Sequence, residues 1–494
     1  MKKLIKISLL SAILIFAVSC NEDFLEKDPS EFLTTAQLQD AASRNPDIVK
    51  GTVTGIYGTM VEVETGGTTG ADDFGHKSYD IFGDMLSGDM ALSVSTYGWY
   101  RASITEMKCT QDFTYLDNYQ VWRHYYRIVR SANSVIAQLG GNDFTPELVE
   151  NQVLMGQAKA MRAHSYFYLA QYFQKSYNAS EEILPMYDDL DDVNGPKVTA
   201  GEIYTLIEND LNDAITLLDG YNRSAKNEVN QDIAKAILAY AYGAMGRDSE
   251  AKVLAAEVIN TGAYTLMSAN EVLGGFNNVA TSGWMWGVDL NADTDLDLHS
   301  WWGQIDYFSY SYAAYGDAKA IDRGLFDAIP ANDVRKEQFY TGGGYLDLMP
   351  INKFYDENRV PYGNTTTVFA DYVFMRIAEM YLLHAETAAR SGDEGSARTS
   401  LKAILSQRLD GDVSYVDGLS GQALLDEIYL QTRIELWGEG KSYLAMKRNK
   451  ATIVRGDNHL SFVGEQISYD DERLTFEIPE SEIQNNPFVS DQNL

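Results

Sequence analysis

The sequence predicts a mostly α-helical protein, built from packed helix pairs around one large irregular insert. Three observations predict it. Over 116–261, and again over 371–449, apolar residues recur at the three- and four-residue spacing of amphipathic helices. The stretches 230–261 and 374–408 share one design, a helix, a tight turn and a second helix, with turns at Gly246-Arg247-Asp248 and Ser391-Gly392-Asp393. Residues 262–370 break the pattern with Pro330, Gly342-Gly343-Gly344, Pro350 and Pro361.

The chain opens with a targeting segment. Lys2, Lys3 and Lys6 form a basic start, and Leu4 to Val18 is an apolar run of signal-peptide length, short for a membrane span. Ala17-Val18-Ser19 precede Cys20 as small residues precede the cysteine of a bacterial lipobox, with Ala17 where Leu is usual. The expected signal peptide is 1–19, and the mature chain is expected to start at an acylated Cys20, its lipid anchor. The other cysteine, Cys109, then has no partner and is expected to be a buried small hydrophobe.

Residues 36–60 are expected to form a first helix. Residues 62–100 are rich in Gly, Asp and Thr and read as a long loop ending in Trp99 and Tyr100. Loops of this length inside a compact protein are usually functional or disordered, and the closing aromatics favour function. Helices are then expected over 116–139, 147–174, 200–218, 230–246, 249–261, 371–390, 394–408 and 421–449. Thr199 and Glu202 have capping-box spacing at the start of the third. Ala241, Ala244, Ala385 and Ala388 let paired helices approach closely. A unit of roughly 34 residues with small residues at its contact is the tetratricopeptide pattern, so these helices read as four such pairs in a superhelix. The organisation expected is an N-terminal helical region (20–261) containing the 62–100 loop, an aromatic-rich insert (262–370) forming the ligand face, C-terminal helix pairs (371–449), and an irregular tail (450–494) with a short strand at 474–479.

Composition narrows the function. The formal net charge of −32 excludes nucleic acid, whose binding depends on Lys and Arg neutralising phosphates. It also disfavours binding anionic lipid by electrostatics alone. Tyr outnumbers Phe 32 to 19, which tilts the aromatic complement toward rings with a polar tip.

Several motifs fall away on inspection. Gly438-Glu439-Gly440-Lys441-Ser442 lacks the glycine that a phosphate loop needs five residues before Gly440, where Glu435 stands. Asp293, Asp295 and Asp297 have the spacing of a calcium loop, but Leu298 and Gln304 occupy its Gly and Glu positions. An EF-hand is therefore out. A looser calcium site from these oxygens stays open beside the reading of a solvated acidic loop. The six histidines form no HExxH and no cluster with cysteine, and no Gly-x-Ser-x-Gly elbow occurs. With 71 Asp and Glu residues, coincidental carboxylate pairs suited to glycoside hydrolysis are inevitable.

The segment from Trp284 to Tyr315 holds four of the seven tryptophans, five aspartates and no Lys or Arg. With the loop ending at Trp99 it supplies the aromatic set Trp99, Tyr100, Trp284, Trp286, Trp301, Trp302, Tyr307, Tyr310 and Tyr312. Two readings stand. The rings stack on the C–H faces of sugars while Asp, Asn and Arg bind hydroxyls, or they pack the insert against the helices. Trp122, Tyr125, Tyr166, Phe167, Tyr240, Tyr381 and Trp437 lie in helical patterns and are expected to be packing residues.

Motifs spread along the chain resemble the SusD/RagB family of outer-membrane nutrient-binding lipoproteins. They are the lipobox followed by Asp23-Phe24-Leu25 and Pro29, then Ala158-Lys159-Ala160-Met161-Arg162-Ala163 with Tyr166-Phe167, then Ile203-Tyr204 through Asp210-Leu211. Asp333 with Arg335, Arg376-Ile377-Ala378-Glu379-Met380-Tyr381-Leu382, Arg433-Ile434-Glu435-Leu436 and Ile478-Pro479 follow in order. The acidic residues after Cys20 resemble the surface-export signal of Bacteroidetes lipoproteins. Gln174-Lys175-Ser176-Tyr177, Ile183-Leu184-Pro185 and Lys441 depart from the usual pattern. The resemblance implies a non-enzymatic lipoprotein, anchored in the outer membrane and facing outward. It would capture oligosaccharide for a TonB-dependent (SusC-like) transporter, with peptide capture by the same architecture, or a glycosidase, as alternatives. The family binds ligand in variable loops, so the resemblance transfers no ligand residue.

Overall fold

In the computed structural model, residues 35–294, 296–363 and 367–493 are described. The signal peptide, Cys20 and its acidic sequel, and Asp295 lie outside them. The elements in order are α1 (Thr35–Arg44), α2 (Asp47–Thr59), α3 (His76–Leu86), β1 (Met90–Leu92), α4 (Leu116–Gln138) and α5 (Val149–Phe173). Next come β2 (Glu182–Pro185), β3 (Lys197–Thr199), α6 (Ala200–Leu217), α7 (Gln231–Ala244) and α8 (Asp248–Asn260). The insert carries β4 (Trp284–Val288), α9 (Trp301–Ile305), α10 (Tyr312–Tyr315), β5 (Lys319–Ile321) and α11 (Arg323–Ala328). The remainder is β6 (Tyr372–Arg376), α12 (Ile377–Arg390), α13 (Glu394–Leu405), α14 (Gly421–Glu435), α15 (Ser442–Arg448), β7 (Thr452–Val454), β8 (Gln466–Ser468) and α16 (Glu480–Asn485).

The mostly helical class is observed. From α4 to α8 each helix packs on the next; α12 then packs on α8, α13 and α14. The Thr199 hydroxyl accepts the N–H of Glu202, and the Glu202 carboxylate accepts the N–H of Thr199, completing the expected capping box. Cys109 is buried, as are Trp122, Tyr125, Tyr166, Phe167, Tyr240 and Trp437; Tyr381 is partly buried against the core.

Four expectations are corrected. The single helix over 36–60 is two helices, because Pro46 lacks an N–H and disfavours helix in the residue before it. The 62–100 loop contains α3 and β1. All eleven residues of α3 are buried, including the Lys77–Asp80 ion pair at 2.7 Å. The helix over 421–449 divides at 436–441, where Gly438 and Gly440 take positive φ of 77° and 74°. The 474–479 stretch forms no ladder; the tail's strands are β7 and β8, paired antiparallel.

The insert is fastened at both ends. β4 pairs antiparallel with β6, with Val288 opposite Tyr372. Deeper, α14 presents Glu435 to three buried guanidinium groups. Arg376 Nη1 donates to it at 2.7 Å, Arg408 Nη2 at 2.8 Å and Arg335 Nη1 at 3.1 Å. Glu439 accepts from Arg376 Nε at 2.6 Å and from Lys353 Nζ at 2.8 Å. Arg335 and Lys353 belong to the insert, so this network ties it to the helices. The residues of the rejected phosphate loop are thereby spent on structure.

Candidate functional site

The tryptophans expected to face ligand are withdrawn into the core. Trp284, Trp286, Trp301 and Trp302 are each at most 2% exposed, and Tyr100 is equally buried. Trp286 stands between His164 and Phe374, at ring-centroid distances of 5.3 and 5.2 Å, and its Nε1 donates to the carbonyl of Asn227 at 2.9 Å. Trp301 meets Trp302 and Phe354 edge to face at 5.0 and 4.6 Å. Tyr100 has φ of 63° and packs on Phe82, with Lys319 Nζ 5.0 Å from its ring centre. These five side chains fill the space between insert and helices, so their assignment to ligand is corrected. Burial of that much apolar surface outweighs any advantage of leaving them exposed.

What the same stretch does expose is tyrosine. Tyr310 and Tyr315, with Tyr97 and Tyr362, are 43–57% exposed. Tyr310 contacts Tyr315 at 5.3 Å, Tyr315 contacts Tyr362 at 5.5 Å, and Tyr362 contacts Tyr307 at 5.1 Å. On the other flank Tyr312 meets Tyr97 at 5.5 Å and the partly exposed Trp99 at 5.7 Å. Tyr312 and Tyr315 are three apart on α10 and so are neighbours on its surface. The rings form two clusters from three separate segments of chain, Tyr307, Tyr310, Tyr315 and Tyr362 in one and Tyr97, Trp99 and Tyr312 in the other, joined through the short helix α10.

Its supports are rigid. Asp317 accepts the backbone N–H groups of Thr96 at 2.7 Å, Tyr97 at 3.0 Å and Trp99 at 3.2 Å, fixing the loop after β1 to the segment before β5. β1 and β5 pair antiparallel just behind this contact. Ser311 caps α10 by accepting the N–H of Ala314 at 2.9 Å. Asp306 accepts the N–H of Phe308 at 2.9 Å and of Asp356 at 3.3 Å, joining two further loops. Burial pushes the Asp306 carboxyl up to about 6, against the pull of those N–H groups. Beneath the rings lies a small separate core of Tyr307, Phe308, Ala313, Ala314, Ala318 and Met349. Burial and the neighbouring Tyr362 push the Tyr307 phenol up to about 12, so it remains a neutral hydrogen-bonding group. The Arg359 guanidinium lies 4.2 Å from the Tyr355 ring centre and 4.7 Å from that of Phe308, at the edge of the surface.

Of the residues singled out from sequence, Trp99, Tyr307, Tyr310 and Tyr312 come together here. Tyr97, Tyr315, Tyr362 and Arg359 were missed. Tyr97 and Tyr362 are each flanked by a turn residue, Gly98 and Pro361, which is the pattern of an aromatic displayed on a loop. Asp293 and Asp297 are exposed, and Asp297 accepts the N–H of His299 at 2.9 Å. No cluster of three or more His, Cys, Asp or Glu suited to a metal occurs among the described residues. None of the described helices is long and apolar enough to cross a membrane.

Comparison with known proteins agrees with this architecture. A family model described as "Starch-binding associating with outer membrane" matches residues 65–242, and the SusD family model matches 328–494. The chain belongs to the SusD/RagB family. It is similar to SusD-like protein P25 of Formosa agariphila, 26% identical over 157 residues, a match covering 32% of this chain and 28% of that protein. The fold is that of a SusD-like carbohydrate binding protein from Bacteroides vulgatus (TM-score 0.75, 22% identity, 90% of this chain and 96% of that one). A SusD superfamily protein from Bacteroides thetaiotaomicron shares it as well (TM-score 0.72, 22% identity, 91% and 99%).

Proposed function

We propose that this chain is a non-enzymatic glycan-binding lipoprotein of the outer membrane. It is anchored through Cys20, faces the exterior, and delivers captured oligosaccharide to a TonB-dependent, SusC-like transporter. The observation that carries the reading is the aromatic surface of Tyr97, Tyr310, Tyr315 and Tyr362. Exposed rings are costly to hold in place unless used, and here a hydrogen-bonded frame holds them in two clusters joined through α10. Their faces suit the C–H faces of sugar rings, while the phenol hydroxyls and Arg359 supply polar contacts at the rim. The helices serve as four tetratricopeptide-like pairs that carry the 262–370 insert as the ligand face. The family match, with its starch-binding and outer-membrane description, and the likeness to a SusD-like carbohydrate binding protein support both the glycan class and the membrane location.

The test is calorimetry of the chain against a panel of oligosaccharides and peptides. The expected result is binding of at least one glycan, weakened about tenfold or more by Tyr315→Ala with Tyr362→Ala, a loss of roughly 1.4 kcal/mol or more. Binding of peptides alone would overturn the glycan assignment. Release of product from a labelled glycan would overturn the non-enzymatic one.

A further inference from the structure

Apart from the aromatic surface, a cavity of about 270 Å³ opens where the ends of α5, α7, α12 and α15 meet the start of α8. Four basic side chains line it, namely Arg390, Lys447, Arg448 and Lys450, in a chain of net charge −32. Helix C-termini attract cations, which is the competing explanation for this grouping. It accounts for Lys447, whose buried ammonium donates to the carbonyls of Gln171 and Gln174 at the end of α5. It does not account for the others, because the last carbonyls of the remaining helices accept from their own caps. Arg247 N–H donates to Tyr242 at 2.8 Å, Asp393 N–H to Ala388 at 2.8 Å, and Ala451 N–H to Met446 at 3.1 Å.

The charges left over are unbalanced. Glu386 is shared by Arg448, at 3.2 Å, and Arg390, at 3.4 Å. Arg390 also donates through Nη2 to Asn449 at 2.8 Å. Nη1 of both arginines and the exposed ammonium of Lys450 have no protein acceptor among the described residues. The partly buried carboxylate of Asp248 also lines the cavity; it accepts no hydrogen bond among those residues but lies within the field of Arg390 and Arg448, so Lys450 is the cation without a nearby counter-charge. Tyr177 contributes a partly exposed ring whose other side contacts Tyr204 at 4.9 Å. Free cationic donors, one carboxylate acceptor and an aromatic wall in a cavity of this size define a ligand with a negative head and a hydroxylated body.

We propose that this cavity binds a small hydroxylated carboxylate of the uronic-acid type. Its carboxylate would lie between Arg390, Arg448 and Lys450, and its hydroxyls would donate to Asp248. Charge-assisted bonds from guanidinium to carboxylate are among the stronger protein contacts and favour planar carboxylate geometry. The site shares no residue with the tyrosine surface and does not depend on its function.

The test is calorimetric titration of the full chain with sodium glucuronate, glucose and inorganic sulfate at low ionic strength. Glucuronate is expected to bind at least tenfold more tightly than either of the others. The rim variant Arg390→Gln with Lys450→Gln, which leaves Lys447 and Arg448 in place, is expected to lower glucuronate affinity tenfold or more while remaining folded by circular dichroism at the temperature of the titration. The Tyr315→Ala, Tyr362→Ala variant is expected to bind glucuronate as the wild type does. The proposal is overturned if glucuronate does not bind, if glucose or sulfate binds equally well, or if the rim variant keeps full affinity.

Discussion

The carboxylate of Asp317 holds the backbone N–H of Trp99 at 3.2 Å across 218 residues of sequence, and the same carboxylate takes the N–H groups of Thr96 and Tyr97. Together with the backbone bonds from Ser93 to Ala318 and from Thr96 to Gly316, this side chain fixes the relative positions of the two loops that carry Tyr97, Trp99 and Tyr312.

Replacing Asp317 with Ala removes the acceptor for the N–H groups of Tyr97 and Trp99, while that of Thr96 keeps the Gly316 carbonyl at 2.9 Å. Stability is expected to fall by about 1–3 kcal/mol, the cost of leaving partly buried donors unpaired. Glycan affinity is expected to fall about tenfold, because the binding surface must then be ordered at the moment of binding. Urea unfolding and calorimetry measure the two effects. Unchanged affinity would mean that the loop before Trp99 takes no part in the site.

Trp286 and Tyr315 separate packing from binding. Trp286→Ala is expected to cost about 3–5 kcal/mol, from lost burial and the cavity left between His164 and Phe374. Tyr315→Ala is expected to change stability by less than about 0.5 kcal/mol while weakening ligand. Denaturant midpoints for the two variants, set beside their glycan affinities, give the comparison directly.

That contrast shows what could be read from the sequence. The helices from α4 to α8 were legible because of their length and of apolar residues at helical spacing, although α5 is buried on every side from Leu154 to Phe173, and the cap of α6 was legible because Thr199 and Glu202 act within three residues of each other. The site was legible only as a region. Whether an indole packs or protrudes depends on partners such as His164 and Phe374, which arrive from helices and strands far along the chain. Composition drew attention to the tryptophans, since they are rarer and larger. The exposed tyrosines beside them carried no periodic signal, and Tyr362 joined the surface only through the return of the 355–362 loop. The α3 helix was passed over for a different reason: it is short and lies between Gly- and Asp-rich stretches that read as loop.

Glu435 is the hub of the buried charge network. Burial pushes its carboxyl up, but Arg408, Arg376 and Arg335 together overcome this and hold it well below the usual carboxylate range. Glu435→Gln leaves three buried guanidinium groups short of counter-charge and is expected to destabilise the fold by about 3–5 kcal/mol. Differential scanning calorimetry of the variant checks this. A loss within about 0.5 kcal/mol would show that Glu439 and Asp333 suffice.

Asp306 gives a pH signature of the opposite sign to an ordinary ion-paired carboxylate. Its folded-state value of about 6 lies above its unfolded value, so the folded protein binds the proton more tightly. Its contribution to stability is fully present below the unfolded value and is lost as pH rises through about 6. The melting temperature of wild type relative to Asp306→Asn is therefore expected to rise as pH falls from about 7 to about 4. A relative melting temperature flat over that range would refute the assignment.

The ladder between β4 and β6 has an evolutionary corollary. Because Val288 sits opposite Tyr372, the chain leaves the scaffold and returns to it at one paired step. Residues 289–371 thus behave as a cassette with adjoining ends, exchangeable between homologues without disturbing the order of the helices on either side. Exchange would carry two obligations, the first being cations equivalent to Arg335 and Lys353 to meet the buried Glu435 and Glu439. The second is that the incoming cassette must bring an acceptor equivalent to Asp317, or the loop before Trp99 must be exchanged with it. New ligand preferences would then be inherited as two co-transferred pieces of gene rather than as scattered point substitutions.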